Sequence, residues 1–161
     1  MLRIGGIQKT SLIDFPNEIS SVIFTLGCNL RCPYCHNWNL LYQEYSIPLK
    51  EIYKVLLERK KYIDAICITG GEPTLNKDLP EFLKKIKNYG FKVKLDTNGC
   101  FPENLIKCLP YLDYIAMDVK TSHAKYKELG ATRPDNILKS INIIMDNSIK
   151  YEFRCTAYPE F

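Results

Sequence analysis

The chain is predicted to form an α/β fold built on a parallel sheet. Short apolar, β-branched runs alternate with segments of helical periodicity along its 161 residues, and this alternation is typical of strand–helix–strand crossovers. Polar or glycine-containing motifs follow several of these runs, at the strand ends where parallel sheets bind ligands. A hydrophobic content of 46% without repeats or low-complexity tracts suffices for one core, so we expect a single domain over residues 1–161.

Five runs are predicted to be strands because they concentrate β-branched and aromatic residues between turn residues. In chain order they are Ser20 to Leu26, Asp64 to Thr69, Phe91 to Asp96, Tyr111 to Asp118 and Lys150 to Ala157. A segment long enough for a helix separates each run from the next, so we expect right-handed crossovers and parallel pairing.

Four helices are predicted in the intervening segments from apolar spacing and from residues that begin or end helices. They begin after Pro48, near Asp78, at Pro102 and after Pro134, and Gly90 ends the second. The apolar residues of the fourth helix are expected to form one buried stripe: Ile137, Leu138, Ile141, Ile144 and Met145.

Charge and cysteine content narrow the possible functions. The 22 basic and 18 acidic residues give a net charge of +4, but the lysines are scattered, which is typical of a solvated surface. The seven cysteines are an odd number and three of them are spaced as ligands, which favours a reducing compartment over a disulfide framework. Without a signal peptide or a membrane-spanning run, we expect a cytoplasmic protein with no nucleic-acid or membrane partner.

The strongest functional signal is a loop containing Cys28, Cys32 and Cys35 directly after the first predicted strand. Three thiolates at CxxxCxxC spacing can bind three irons of a cubane and leave the fourth open, whereas electron carriers are closed by four cysteines. Zinc completed by His36 or His123 is the alternative. Zinc ribbons usually bring two separated cysteine pairs, and no second CxxC occurs, so the spacing favours an iron–sulfur cluster.

Further polar motifs are predicted at the same edge of the sheet. Gly70-Gly71-Glu72-Pro73 follows the second strand, Thr97-Asn98-Gly99 the third, and Asp118 with Lys120 the fourth. Each motif alone has an ordinary explanation, since glycines form turns, aspartates cap backbone groups and lysines are surface charges. Together they predict one site at the carboxyl ends of the strands.

The cysteine loop with Tyr34 before its third cysteine and the Gly-Gly-Glu-Pro segment together resemble the radical S-adenosylmethionine (SAM) enzymes. Within that superfamily, three segments resemble the activating enzymes of glycyl-radical enzymes: residues 35–37, 95–99 and 117–120. The opening segment, residues 5–16, is most similar to the activating proteins of anaerobic ribonucleoside-triphosphate reductase. The resemblance covers the whole chain.

This resemblance implies a 4Fe-4S cluster on the three loop cysteines, with SAM chelating the fourth iron. It assigns the remaining cofactor contacts to the other motifs and to the fifth predicted strand: Tyr34, Gly70, Gly71, Glu72, Asn98, Asp118, Lys120 and Arg154. Asp96 and Thr97 match positions that help to bind a monovalent cation beside the SAM carboxylate. Asp14 and His36 are expected near an incoming glycine, with His36 a candidate catalytic residue.

The implied activity is reductive cleavage of SAM to a 5′-deoxyadenosyl radical, which removes hydrogen from a glycine of a partner enzyme. The expected partner is anaerobic ribonucleotide reductase, and the expected electron donor is a flavodoxin or ferredoxin. The expected fold is a partial (β/α)6 barrel with about five βα units and the C-terminal unit missing. Two alternatives remain, a radical SAM enzyme for a small molecule, similar to 7-carboxy-7-deazaguanine synthase, and a non-catalytic metal-binding module.

Overall fold

The computed structural model describes residues 2–158 and contains one six-stranded sheet. The strands are β1 Ile4–Ser11, β2 Ser20–Thr25, β3 Ala65–Gly70, β4 Lys92–Thr97, β5 Tyr114–Asp118 and β6 Lys150–Arg154. They lie side by side in chain order, with β1 antiparallel to β2 and every later pairing parallel. The predicted α/β class and the five parallel strands are therefore confirmed.

Strand β1 is missing from the sequence-based prediction, which counted five strands and expected only parallel pairing. β1 contains two glycines and a polar run, it forms an edge of the sheet, and three of its eight residues are exposed. An edge strand needs few apolar side chains, so its period-two signal is weak. Gly5 packs closely there, since a Cβ atom would lie 2.4 Å from Leu26 Cδ2 and the Leu26 side chain would have to move.

Four α-helices connect the parallel strands, as predicted. They are α1 Leu49–Arg59, α2 Leu79–Asn88, α3 Pro102–Cys108 and α4 Asp135–Met145. The stripe on α4 is narrower than predicted, because Leu138 and Met145 are exposed. After β6 the structure describes residues 155–158, which form neither helix nor strand. Across these residues, no helix combines the length and the apolar character needed to cross a membrane.

The two faces of the sheet differ in polarity. On the outer face, residues such as Ile66, Ile68 and Leu95 pack with the helices in the hydrophobic core. Side chains alternate along a strand, so the intervening residues, including Lys94 and Asp96, point to the inner face. This polar inner face extends to the carboxyl edge of the parallel strands.

Candidate active site

A cavity of about 300 Å³ opens at the carboxyl edge of the parallel strands. Its walls come from the loops after β2, β3, β4 and β5 and from the end of β6. The sequence-predicted site residues among its lining are Cys28, Cys32, Tyr34, Cys35, His36, Gly70, Gly71, Glu72, Asp96, Thr97, Asn98, Asp118, Lys120 and Arg154. The structure thus brings residues from five separate segments to one cavity, while their chemical roles stay predictions.

The three loop cysteines are free thiols that are only partly exposed. Burial raises the pKa of Cys28 to about 11 and also raises the pKa of Cys32. Two N–H groups donate to the sulfur of Cys28, the backbone N–H of Leu30 at 3.4 Å and the side-chain amide of Asn98 at 3.7 Å. Donors of this kind stabilise a thiolate, which is the form that binds metal.

The donor set matches the chemistry of an iron–sulfur cluster, because soft thiolates are the ligands that such clusters take. Within residues 2–158, no three His, Cys, Asp or Glu side chains are gathered closely enough to hold a single metal ion. A cubane makes a different geometric demand, since each of its irons takes its own thiolate. Cys28, Cys32 and Cys35 come from one loop and line one cavity.

Glu72 is a buried carboxylate that joins the loops after β3 and β4. It accepts four hydrogen bonds, from the N–H of Thr74 at 2.9 Å, the Thr97 hydroxyl at 2.7 Å, the N–H of Asn98 at 2.7 Å and the Thr74 hydroxyl. Burial raises the pKa of Glu72, and these donors oppose the rise. The side chain is therefore engaged by protein donors, and it holds the two loops in place.

Gly70 and Gly71 lie where the loop after β3 nearly touches the end of β2. A Cβ atom on Gly71 would lie 1.9 Å from the carbonyl oxygen of Gly27, and one on Gly70 would lie 2.3 Å from the nitrogen of Thr25. The absence of side chains therefore lets the loop after β3 pack directly against the backbone at the end of β2. Because Gly27 immediately precedes Cys28, Gly71 helps to set the position of the cysteine loop.

We expect Gly71→Ala to lower both thermal stability and iron content. Overpacking costs about 1–3 kcal/mol, and relief of this clash requires Gly27, and with it Cys28, to move. Gly6→Ala is the matched control, because a Cβ atom there would meet only Phe24 at 3.8 Å. Thermal unfolding and iron analysis after anaerobic reconstitution measure the effect. Equal values for the two variants would show that the close approach is unimportant.

Charged side chains form an alternating row beside the cavity. Lys94 Nζ lies 2.7 Å from Asp96 Oδ1, Arg154 Nη2 lies 3.3 Å from Asp96 Oδ2, and Arg154 Nε lies 2.9 Å from Asp118 Oδ1. Lys120 Nζ completes the row at 2.9 Å from Asp118 Oδ2. Burial lowers the pKa of Arg154, but the two aspartates raise it by more, so the net pKa is raised. Glu152 Oε1 lies 4.0 Å from Arg154 Nη1, so the row contains three cations and three carboxylates. Lys120 and Arg154 are the two cations of the row that line the cavity, where each can donate to an anionic ligand.

Two tyrosines fix the backbone of Lys120 at the edge of the cavity. The Tyr34 hydroxyl donates to the Lys120 carbonyl at 2.7 Å, and the Lys120 N–H donates to the Tyr126 hydroxyl at 2.9 Å. The bond from Tyr34 ties the cysteine loop to the loop after β5, and the bond to Tyr126 lies within that second loop. Sequence reasoning missed Tyr126, because one tyrosine in an irregular segment carries no local signal.

Lys94 was also missed, although its position carries a signal. It stands between the buried residues Val93 and Leu95 in β4, and it is itself only 2% exposed. Lysine is almost never fully buried without a partner. A lysine inside an apolar strand therefore predicts a buried ion pair.

Asp14 does not lie near the cavity, contrary to the expectation from the resemblance. Ser11 at the end of β1 pairs with Ser20 at the start of β2, so the turn that carries Asp14 lies at the amino edge of the parallel strands. The cavity lies at the carboxyl edge. His36 lines the cavity, whereas His123 is outside its lining and contacts Asp135 at 3.0 Å.

Known proteins include a family and several relatives that are similar to this chain in sequence. A family model described as the radical SAM superfamily matches residues 22–160. A Methanocaldococcus jannaschii protein named as a glycyl-radical enzyme activating enzyme is 40% identical over 98% of this chain and 69% of its own length. A pyruvate formate-lyase-activating enzyme of Clostridium pasteurianum is 35% identical over 74% of this chain and 53% of its own length.

A solved structure has a fold similar to that of this chain. The structure of TYW1 with a lysine–pyruvate adduct bound has a TM-score of 0.63 and 18% sequence identity. The match covers 84% of this chain and 54% of that chain. In each of these comparisons the chain spans only part of the matched protein, between 53% and 69% of its length.

Proposed function

Because the chain belongs to the radical SAM superfamily, we propose that its cavity binds a 4Fe-4S cluster with SAM and generates a glycyl radical on a partner enzyme. One observation carries the proposal: three free thiols share a cavity of about 300 Å³ with the ends of four other parallel strands. Relatives named as activating enzymes, at 40% and 35% identity, support this reaction class.

The family implies an iron–sulfur cluster and SAM, and the residues of the cavity suit both. Cys28, Cys32 and Cys35 would hold the cluster. The SAM carboxylate would bind near Arg154 and Lys120, the two cationic side chains of the lining. The remaining contacts would come from the loops after β2, β3, β4 and β5 through Tyr34, Gly70, Gly71, Glu72, Asn98 and Asp118.

When bound, the cluster and SAM supply a one-electron cleavage that yields a carbon radical able to take hydrogen from glycine. The chain itself binds, orients and shields these groups from water. Glu72 contributes by holding the loops after β3 and β4 together. Leu30 and Asn98 contribute by donating to the sulfur of Cys28, and such donors tune the reduction potential of a cluster.

We expect Asn98→Ala to make the cluster harder to reduce. A donor to a thiolate favours the reduced, more negatively charged cluster, so its loss should lower the potential by roughly 60 mV, equivalent to ~1.4 kcal/mol. A redox titration followed by EPR measures this shift. Asn142→Ala on the exposed side of α4 is the matched control. A potential that stays constant or rises in Asn98→Ala would show that the amide does not tune the cluster.

The proposal includes the enzyme that would receive the radical and the protein that would supply the electron. Anaerobic ribonucleotide reductase is favoured by the opening segment, residues 5–16, and a flavodoxin or ferredoxin would supply the electron. His36, exposed at the cavity, is the candidate residue near the glycine. A monovalent cation at Asp96 and Thr97 is a further prediction of the resemblance, although the Thr97 hydroxyl already donates to Glu72.

The test combines anaerobically reconstituted protein, SAM, a low-potential reductant and anaerobic ribonucleotide reductase. The expected result is a glycyl-radical doublet in the EPR spectrum that is absent when the partner's radical-bearing glycine is replaced by alanine. Turnover of a small molecule without any protein partner would support the alternative radical SAM enzyme. Protein purified without oxygen that contains zinc but neither iron nor sulfide would contradict both enzyme functions.

A further inference from the structure

We propose that Lys94 is a built-in counter-ion of Asp96, so that the SAM carboxylate binds beside Asp96 and Arg154 without an exchangeable monovalent cation. The inference rests on the proposed function, because it concerns how that cofactor would bind. Lys94 belongs to none of the motifs that carry the resemblance, and it lies beneath the residues that line the cavity.

Lys94 lies deep on the inner face of the sheet, with a side chain that is 3% exposed. Strand register places Cys67 of β3 and Tyr114 of β5 on either side of it. Its Nζ atom is 4.0 Å from Cys67 Sγ and 6.0 Å from the centre of the Tyr114 ring. The Cys67 thiol and the Tyr114 phenol are uncharged as long as they keep their protons. A buried ammonium ion therefore needs an anionic partner, and Asp96 at 2.7 Å supplies it.

Asp96 uses both of its carboxylate oxygens within the chain. Lys94 contacts Oδ1, and Arg154 contacts Oδ2 at 3.3 Å. An external cation beside Asp96 would approach two protein cations, and that repulsion disfavours its binding. The positive charge that the resemblance assigns to a monovalent cation is therefore already supplied by the protein.

Lys94 also changes the net charge that a ligand meets. With it, the row contains three cations and the three carboxylates of Asp96, Asp118 and Glu152, whereas a neutral side chain at this position would leave the carboxylates in excess. Because Lys94 does not reach the cavity lining, it acts through Asp96 and Arg154. It is therefore a positioning residue.

The experiment compares the wild-type protein with Lys94→Met in potassium chloride and in choline chloride at equal ionic strength. Two quantities are measured, the melting temperature of the cluster-free protein and the SAM dissociation constant of the reconstituted protein by equilibrium dialysis under argon. We expect the wild-type protein to give the same values in both salts. In choline, Lys94→Met should bind SAM about tenfold more weakly and melt about 10 °C lower than wild type. Potassium should partly restore both values.

Lys92→Met is the matched control, because Lys92 lies on the same strand but is exposed and pairs with Glu18. Like the wild-type protein, it should have the same melting temperature and the same SAM dissociation constant in both salts. If Lys94→Met does not fold, Lys94→Gln takes its place, and the wild-type comparison remains decisive by itself.

Two results would overturn the inference. One is a wild-type protein whose melting temperature or SAM affinity rises when potassium replaces choline. The other is a Lys94 variant whose melting temperature and SAM affinity are the same in both salts, since Asp96 would then need no cation. A wild-type protein that binds no SAM in either salt would instead contradict the proposed function, and the melting temperatures would still decide the role of Lys94.

Discussion

Cys32→Ala is expected to abolish cluster assembly while leaving the fold intact. Cys32 supplies one of three thiols that line the cavity, and it is only partly exposed, on an irregular loop outside the sheet. Loss of a residue that merely supports a metal ligand already lowers metal affinity about 10–100-fold. Loss of a direct ligand should lower it further. Iron and sulfide content and visible absorption after anaerobic reconstitution measure the effect, and circular dichroism checks the fold.

Cys67→Ala is the matched control for this experiment. Cys67 is a fully buried cysteine on β3 that lies outside the cavity lining. We expect the alanine variant to keep its iron and its visible spectrum, with some loss of stability from the smaller side chain. If Cys67→Ala lost the cluster and Cys32→Ala retained it, the assignment of ligands would be wrong.

Glu72→Ala is expected to be strongly destabilising and to disrupt SAM binding. The substitution would remove the acceptor of two buried backbone N–H groups, those of Thr74 and Asn98. An unsatisfied buried donor costs about 1–3 kcal/mol, so the two together cost roughly 2–6 kcal/mol before any cavity is counted. For a chain of this size we expect a fall in melting temperature of about 10 °C. Calorimetry and SAM dialysis measure both effects.

Glu72→Gln tests the role of the charge, because the side chain keeps its shape. Burial raises the pKa of Glu72, so the folded state favours the protonated carboxyl more than the unfolded state does. The stabilisation that Glu72 contributes is therefore full below the unfolded-state pKa of its carboxyl group. It is lost as the pH rises through the folded-state pKa. The stability advantage of wild type over Glu72→Gln should shrink as the pH rises. An advantage that grows with pH would show that burial does not dominate at this carboxylate.

The parallel strands were predictable because β-branched and aromatic residues either form one short run or alternate with polar residues in each. β3, for example, is an almost continuous apolar segment, as expected for a strand covered on both faces. The motif after each strand was predictable for a related reason, since parallel strands place their carboxyl ends at one edge. Cys28, Glu72, Asn98 and Asp118 lie at that edge in the structure.

Strand β1 was not predictable from its own residues. Its glycines and polar side chains resemble a loop, and it becomes a strand because its backbone pairs with β2. The exposure of Leu138 on α4 has a similar origin, because helical spacing shows which residues share a face but not how much of that face is covered.

Composition and spacing along the chain were sufficient to predict the α/β class and the five parallel strands, and they singled out three cysteines in one loop, since these features depend on residues close together in the sequence. The contact of Gly71 with Gly27, the four donors to Glu72 and the pairing of Lys94 with Asp96 required the folded chain. Such contacts depend on strand register and on which face each side chain takes. Burial then determines which partner a charged group must have, and burial is a property of the whole packed sheet.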